Sequence, residues 1–280
     1  MTQSPGKRFR ALMKKGGVAC PGVFNAATAR LIEEAGFQSG YISGAGLHAQ
    51  HALSDTGLLS RRDVAEACAR ITQAVNIPLL LDGDTGFGGV GAVPKTIRLF
   101  EAAGAAGVQL EDQRFPKRCG HLPGKELVSA AEMAAKIRAA AGARRDKNFV
   151  IVARTDARGV TGFEDAVLRA RSYREAGADV IFPEALATAD EFRRFAREAP
   201  GPLLANMTEF GKTALIPLSE FKRLGYAAVL FPMTLFRLMM GQAREAAKIL
   251  RKTGTQKSLL GRMQNRSDFY KMIHYAPRKS

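Results

Sequence analysis

Four times in this chain a helix-like segment stops at a glycine and a short apolar run follows at once. Glu34-Ala35-Gly36 leads into Ser39-Gly40-Tyr41-Ile42-Ser43, and Ala102 to Gly107 leads into Val108-Gln109-Leu110-Glu111. Glu175-Ala176-Gly177-Ala178 leads into Asp179 to Glu184, and Arg223-Leu224-Gly225-Tyr226 leads into Ala227 to Phe231. Glycine closes a helix by taking the left-handed conformation that side chains resist. Short apolar runs without polar alternation are what strands buried on both faces look like, which is the condition of a parallel sheet.

Further strands are expected at Val18–Val23, Ile77–Leu81, Phe149–Ala153 and Pro202–Ala205. Between the strands, helical spacing predicts Ala26–Ala35, Arg61–Ala74, Val93–Ala103, Ala130–Ala141, Gly162–Ala176, Ala187–Glu198, Leu218–Leu224 and Leu235–Thr253. Ser129 and Thr161 stand where N-cap hydroxyls belong. Strands alternating strictly with helices argue an α/β fold. Eight such units in roughly 250 residues fit a (β/α)8 TIM barrel. A doubly wound sheet is disfavoured because Val18-Ala19-Cys20-Pro21-Gly22 lacks the glycine-rich dinucleotide turn. Residues 1–252 are read as the catalytic barrel. Residues 253–280 are read as a helical tail, with Gln256 to Tyr275 carrying an intermittent apolar stripe. That stripe needs cover, from its own barrel or from a neighbouring subunit in a domain-swapped homo-oligomer.

A barrel of this kind carries its chemistry at the C-terminal ends of the strands. Polar residues collect there: Ser43, Gly44, Ala45 and Gly46 with Tyr41 just before them; Asp82 and Asp84; Glu111 and Asp112; Arg154 to Asp156; Glu184; Asn206, Met207, Thr208 and Glu209; Thr234 and Arg237. Asp82 and Asp84 end the buried run Leu79-Leu80-Leu81, and along an extended chain they would point the same way. Carboxylates so placed repel unless a cation or proton joins them. Oxygen ligands with room for water suit Mg²⁺, with Mn²⁺ the alternative, and Glu111 could complete the shell through water. A strand-end aspartate that merely caps the next turn is the plainer reading. Arg118, Arg154 and Arg237 read as clamps for a substrate with several carboxylates.

Lys117-Arg118-Cys119-Gly120-His121 follows the fourth strand on a loop stiffened by Pro116. A thiol among cationic groups is expected to have its pKa lowered. Gly120 would let backbone come close to a ligand. The plain alternative is a solvated basic loop with an incidental cysteine. His48, His51 and His274 have no metal-like spacing and are read as structural or surface residues.

The formal net charge is +16, and it is scattered as pairs such as Arg61-Arg62 and Arg193-Arg194. A basic stripe for nucleic acid is therefore missing; a small polyanionic substrate is the other partner such a charge would suit, and a soluble basic surface explains most of the excess. The 3 cysteines make no disulfide framework, so a reducing, cytoplasmic setting is expected. Met1 to Gly17 shows no apolar core of a leader, and no run reaches membrane-span length.

With these residues in place, the chain resembles the isocitrate lyase/phosphoenolpyruvate mutase superfamily nearly end to end. The likeness rests on Lys117 to His121, on Asp82-Gly83-Asp84-Thr85-Gly86-Phe87-Gly88, on Leu204 to Gly211, and on Thr255 to Ser258 with Met263 to Arg266. The resemblance implies a Mg²⁺-dependent carbon–carbon lyase that splits 2-methylisocitrate into pyruvate and succinate in propionate catabolism. Isocitrate, 2,3-dimethylmalate and oxaloacetate are the related substrates, and a basic nucleic-acid-binding protein on an inactive barrel is the reading of another class. Asp82 and Asp84 would bind the metal, with Asp55 and Glu111 holding its waters. Ser43, Gly44 and Ala45 would contact substrate, although the family more often has Gly where this chain has Ala45. Gly120, Arg154, Glu184, Asn206, Met207, Thr208, Arg237 and Arg266 would line the rest. Tyr41 would be the base and Cys119 the acid, with Glu111, Lys117, Arg118 and His121 beside them in the catalytic set. The resemblance also implies tetramers that exchange their last helix.

Overall fold

The computed structural model describes residues 3–276. Residues 1, 2 and 277–280, into which the expected barrel and tail ranges run, lie outside the described residues. The strands are β1 (Val18–Val23), β2 (Gly40–Ile42), β3 (Leu79–Asp82), β4 (Gly107–Glu111), β5 (Val150–Thr155), β6 (Val180–Pro183), β7 (Leu204–Asn206) and β8 (Ala228–Phe231). All pair in parallel, in the order β6-β5-β4-β3-β2-β1-β8-β7. A bridge between Ile181 and Leu203 joins the two ends, with the Ile181 amide donating to the Pro202 carbonyl at 3.1 Å. The sheet is a closed (β/α)8 barrel.

Helices α1 (Pro5–Met13), α2 (Ala26–Glu34), α3 (Gly44–Ala49), α4 (Arg61–Thr72), α5 (Val93–Ala102) and α6 (Ala130–Ala143) precede β5. Then come α7 (Phe163–Glu175), α8 (Ala189–Glu198), α9 (Leu218–Arg223), α10 (Thr234–Thr253) and α11 (Arg266–Met272). The glycines of the recurring pattern do what that pattern requires: Gly36, Gly104, Gly177 and Gly225 have φ of 85°, 86°, 105° and 79°. Ser129 caps α6 by accepting from the Glu132 amide at 3.1 Å. Thr161 does not cap α7. Gly162 holds that position at a φ of 110°, and Thr161 bonds to the Ala157 carbonyl and to Asp165.

Two apolar layers result. One lies between strands and helices, with Ile97, Phe100, Ile137, Ile151 and Phe195 fully buried. The other fills the barrel interior with Cys20, Leu80, Val150, Val152, Phe182 and Leu230. Helix α1 is absent from the sequence expectation. Ser4 caps it and Pro5 opens it, and its Phe9 plugs the barrel from the N-terminal end, packing in the same interior layer. Arg10 Nε fixes the helix there by donating to the Asn148 carbonyl at 2.8 Å.

The tail departs from a single helix. Gly254, at a φ of 66°, stops α10; a 3-10 turn spans Lys257–Arg262, and Asn265 then caps the short α11 by accepting from the Asp268 amide. Helix α11 lies against α2, where Arg30 Nη1 donates to the Met272 carbonyl at 3.4 Å. No residue of the 20-residue α10 is buried. Among the described residues no helix is long and apolar enough to cross a membrane.

Candidate active site

The C-terminal mouth of the barrel holds a cavity of about 290 Å³. A larger one, about 750 Å³, has Asp84 in its wall, but most of the convergent charges face the smaller cavity. Tyr41, Ser43, Ala45, Asp55, Asp82, Lys117, Arg118, Cys119, Gly120, His121, Arg154, Glu184, Asn206, Thr208 and Arg237 all line it. Thus residues spread over nearly two hundred positions of sequence meet in one place.

The acidic corner is built at the end of β3. The strand stops at Asp82, and Asp84 takes a left-handed φ of 47°, so the pair is not the extended one that strand alternation suggests. Gly83 is required between them: a Cβ there would stand 2.5 Å from Val108 Cγ2. The Asp82 oxygens are held by backbone, Oδ1 by the Asp84 amide at 3.1 Å and Oδ2 by the Gly44 amide at 3.2 Å. Lys117 Nζ enters from the loop, 2.7 Å from Asp84 Oδ1 and in contact with Asp55 Oδ1. Burial works against its ammonium, but Asp84, Glu111, Asp55 and Asp82 outweigh that and hold it firmly charged. Burial raises the Asp84 carboxyl, with Lys117 opposing and Asp82 and Asp55 adding.

Glu111 is buried, and burial pushes its pKa up to about 8 against the pull of Arg154 and Lys117. Its Oε1 has no hydrogen-bond partner, and Asp84 Oδ1 makes no directed hydrogen bond. Tyr41 donates to Gln109 Oε1 at 2.8 Å. Burial first and Asp82 second hold its phenol well above its ordinary pKa, so it is neutral here. Asp112, next to Glu111, points the other way. It accepts from Thr155 Oγ1, the Asp156 amide and Tyr173 OH at 2.8, 2.9 and 2.8 Å, and it braces the barrel wall instead of the cavity.

The cationic wall centres on Arg154. Its Nε and Nη2 donate to the two oxygens of Asp156 at 2.9 and 3.1 Å. Its Nη1 is then aimed between Glu111 Oε2 at 3.4 Å and Glu184 Oε2 at 3.3 Å. Burial would raise the Glu184 carboxyl, but Arg154 and His121 outweigh it and pull the pKa down to about 2. His121 Nδ1 accepts from the Lys212 amide at 3.0 Å, so in the neutral ring the proton sits on Nε2, 2.9 Å from Glu184 Oε1. Gly120 has to be glycine, because a Cβ would come within 2.3 Å of Arg154 Nη2 and 2.5 Å of Glu184 Cγ.

Cys119 is exposed at the rim, while Cys20 and Cys68 are buried and burial pushes both of those thiols up to about 12. Ser43 caps α3 through the Gly46 amide at 3.2 Å. Arg237 sits over the Phe210 ring, 3.6 Å from Glu209 Oε2. His48 is structural: its Nδ1 contacts the Gly44 carbonyl at 2.8 Å and its Nε2 accepts from the Leu59 amide at 3.2 Å.

Gly44, Asp84 and Glu111 stand behind the lining, where they contact Asp82, Lys117 and Arg154, and two further expected residues are not brought in. Met207 packs in the outer layer, its Sδ accepting from the Ile216 amide, and does not line the cavity. Arg266 is exposed on α11 and does not line it either. Two residues, Gln109 and Lys125, were missed, and Asp156 was placed at its strand end without its partner. Gln109, the one polar residue inside an apolar run, was the readable signal. Lys125 gave none, because its importance lies in its partner: Lys125 Nζ reaches Asp156 Oδ1 at 2.8 Å.

The acidic corner suits a hard divalent cation. Glu111 Oε1 is a buried acceptor without a donor, Asp84 Oδ1 has only the Lys117 ammonium, and the corner is otherwise all oxygen. Among the described residues no three His, Cys, Asp or Glu side chains group closely enough to chelate an ion unaided. Mg²⁺ normally takes one or two carboxylates and keeps several waters, so that scarcity fits it.

Residues 9–251 match the phosphoenolpyruvate phosphomutase family profile. The 2-methylisocitrate lyase of Aeropyrum pernix is 49% identical over 98% of this chain and 88% of its own length. That of Escherichia coli is 44% identical over 97% of this chain and 93% of its own. A crystal structure of 2,3-dimethylmalate lyase, a PEP mutase/isocitrate lyase superfamily member, superposes with a TM-score of 0.91 at 32% identity, covering 98% of this chain and 92% of that one. Phosphonopyruvate hydrolase in complex with oxalate and Mg²⁺ superposes with a TM-score of 0.88 at 30% identity, covering 97% and 95%.

Proposed function

The chain belongs to the phosphoenolpyruvate phosphomutase family, within the PEP mutase/isocitrate lyase superfamily, and on that premise we propose that it is a 2-methylisocitrate lyase. It is a carbon–carbon lyase that cleaves its substrate to pyruvate and succinate. The observation that carries the reading is the single exposed thiol, Cys119, set on the rim of a cavity that has an oxygen-rich acidic corner and a cationic wall.

A divalent cation held by Asp82 and Asp84, with Asp55 and Glu111 around it through water, would act as a Lewis acid on the 2-hydroxy acid end. We assign Mg²⁺, with Mn²⁺ as substitute. Arg154, through its Nη1, and Arg237, Asn206, Thr208 and His121 bind and orient the remaining carboxylates. Ser43, Gly44 and Ala45 close the other side. Tyr41 is the candidate base for the hydroxyl proton, acting in its ionised form, which a cation beside Asp82 would favour by offsetting that carboxylate's charge. The bond between the hydroxyl carbon and its neighbour then breaks, its electron pair staying on the succinate fragment. Arg154 and His121 face the charge that develops there. Cys119, the exposed thiol at the rim, gives that carbon its proton. Lys117 and Arg118 hold the loop that carries it. That loop, Gln113 to Gly124, excludes water by closing. The exposed apolar residues of α10 support a homo-oligomer, in which the C-terminal segments would be exchanged.

The test is product analysis with divalent cation and, separately, 2-methylisocitrate, isocitrate and 2,3-dimethylmalate. Pyruvate plus succinate from the first, lost with EDTA and with Cys119→Ser, is the expected result. Faster glyoxylate release from isocitrate would move the assignment to that substrate.

A further inference from the structure

Gln113 clamps the Arg118 backbone, its Nε2 donating to the carbonyl and its Oε1 accepting from the amide, both at 2.9 Å, and three further side chains, the last just beyond Gly124, fasten the loop from Lys117 to Gly124 to the barrel. Lys117 reaches Asp55 and Asp84, and His121 reaches Glu184. Both of these grip groups that face the cavity, where a bound substrate competes for them. The third is Lys125, which is buried and does not line the cavity. Its ammonium donates backward to the Gly120 carbonyl and forward to Asp156 Oδ1 at 2.8 Å.

Asp156 is fully buried and carries two cations, Lys125 and Arg154. Both of its oxygens are engaged by Arg154, and that grip leaves only Nη1 directed toward Glu111 and Glu184. The same carboxylate thus sets the aim of the arginine and anchors the loop. When Lys125 is withdrawn, Asp156 keeps a full charge with Arg154 as its one remaining close cation, and the guanidinium is drawn toward it. When Lys125 is seated, Gly120 is held against Arg154, and Cys119 is fixed one residue away.

We propose that Lys125 is a positioning residue that couples the seating of the Lys117–Gly124 loop to the aim of Arg154, through their shared partner Asp156. The catalytic consequence rests on the reading of Cys119 as the proton donor, because the loop held by Lys125 is the one that delivers it.

The experiment compares wild type, Lys125→Met and Lys125→Gln, each checked for folding by circular dichroism. Gln can still donate to Gly120 but carries no charge, and it decides the matter should the Met variant not fold. In ligand-free protein, tryptic cleavage after Arg118 and iodoacetamide labelling of Cys119 are timed. The other cysteines are buried, so labelling reports this loop. Both rates are expected to rise at least tenfold in the variants. With 2-methylisocitrate, kcat is expected to fall by at least tenfold while KM changes by less than about threefold. Unchanged cleavage and labelling would overturn the proposal, as would faster cleavage with undiminished kcat. Absence of turnover in wild type, with the loop still loosened in the variants, would sink the lyase assignment and leave the loop anchor standing.

Discussion

Lys117 Nζ lies 2.7 Å from Asp84 Oδ1, so the lysine of the loop sits among the carboxylates expected to hold a metal. It is the nearest counter-charge to Asp84, and it also touches Asp55. Removing one partner from a buried ionic cluster costs about 3–5 kcal/mol, because the others are left uncompensated. Lys117→Met should therefore destabilise ligand-free protein by that order, and added Mg²⁺ or Mn²⁺ should recover much of it. Thermal melts of both proteins with and without the cation check this. A variant that melts like wild type without metal would contradict the charge balance described here.

Glu111 gives a pH dependence of definite sign. Its folded pKa, about 8, stands above its ordinary 4.5, so the folded state holds a proton the unfolded state releases. Its contribution is complete below the lower value and is lost as pH rises through the upper one. Glu184 runs the opposite way, stabilising above 4.5 and losing that contribution as pH falls toward about 2. Ligand-free protein should lose melting temperature as pH climbs from 4.5 to 8. Glu111→Gln should flatten that decline. A divalent cation, which favours the ionised carboxylate, should raise the melting temperature most near the top of the window.

Tyr41→Phe separates a proton-transfer role from a packing role. The phenol is buried, and its one hydrogen bond goes to Gln109. Loss of a general base costs roughly 10²–10⁴ in rate. The expected outcome is a fall in kcat of at least 10²-fold, with KM and melting temperature little changed. Steady-state kinetics with 2-methylisocitrate decide it. A fall below tenfold would remove Tyr41 from the base's role.

The strand ends were legible because their signals are local. An apolar run followed by Asp82 or Glu111 tells its own story, and β1 begins and ends where its residues predict. The glycine stops were legible for the same reason. What could not be read depends on side: Glu111 and Asp112 look alike in sequence, yet one turns toward Arg154 and the other braces the wall. Phe9 as a plug, and Lys125 paired with Asp156, depend on segments that meet only after folding. Helix α1 escaped notice because its basic residues mask a short apolar face.

Helix α10 carries the last prediction. It has 20 residues and buries none of them, while Leu238, Met239 and Met240 stand 60%, 47% and 52% exposed. An amphipathic helix with its apolar side in water is a surface awaiting a partner. Arg237 sits on the first turn of this helix and lines the cavity, so what seats the helix also steadies that arginine. Arg266, on the tail beyond it, does not line its own cavity. If neighbouring subunits exchange these segments, light scattering will report an oligomer, and Leu238→Asp with Met240→Asp will shift it toward monomer and lower turnover. Subunits carrying Cys119→Ser and subunits carrying Arg266→Ala, each inactive alone, should regain part of the activity when unfolded and refolded together. A wild-type monomer with full turnover would rule out the exchange, and the tail would then belong only to its own barrel.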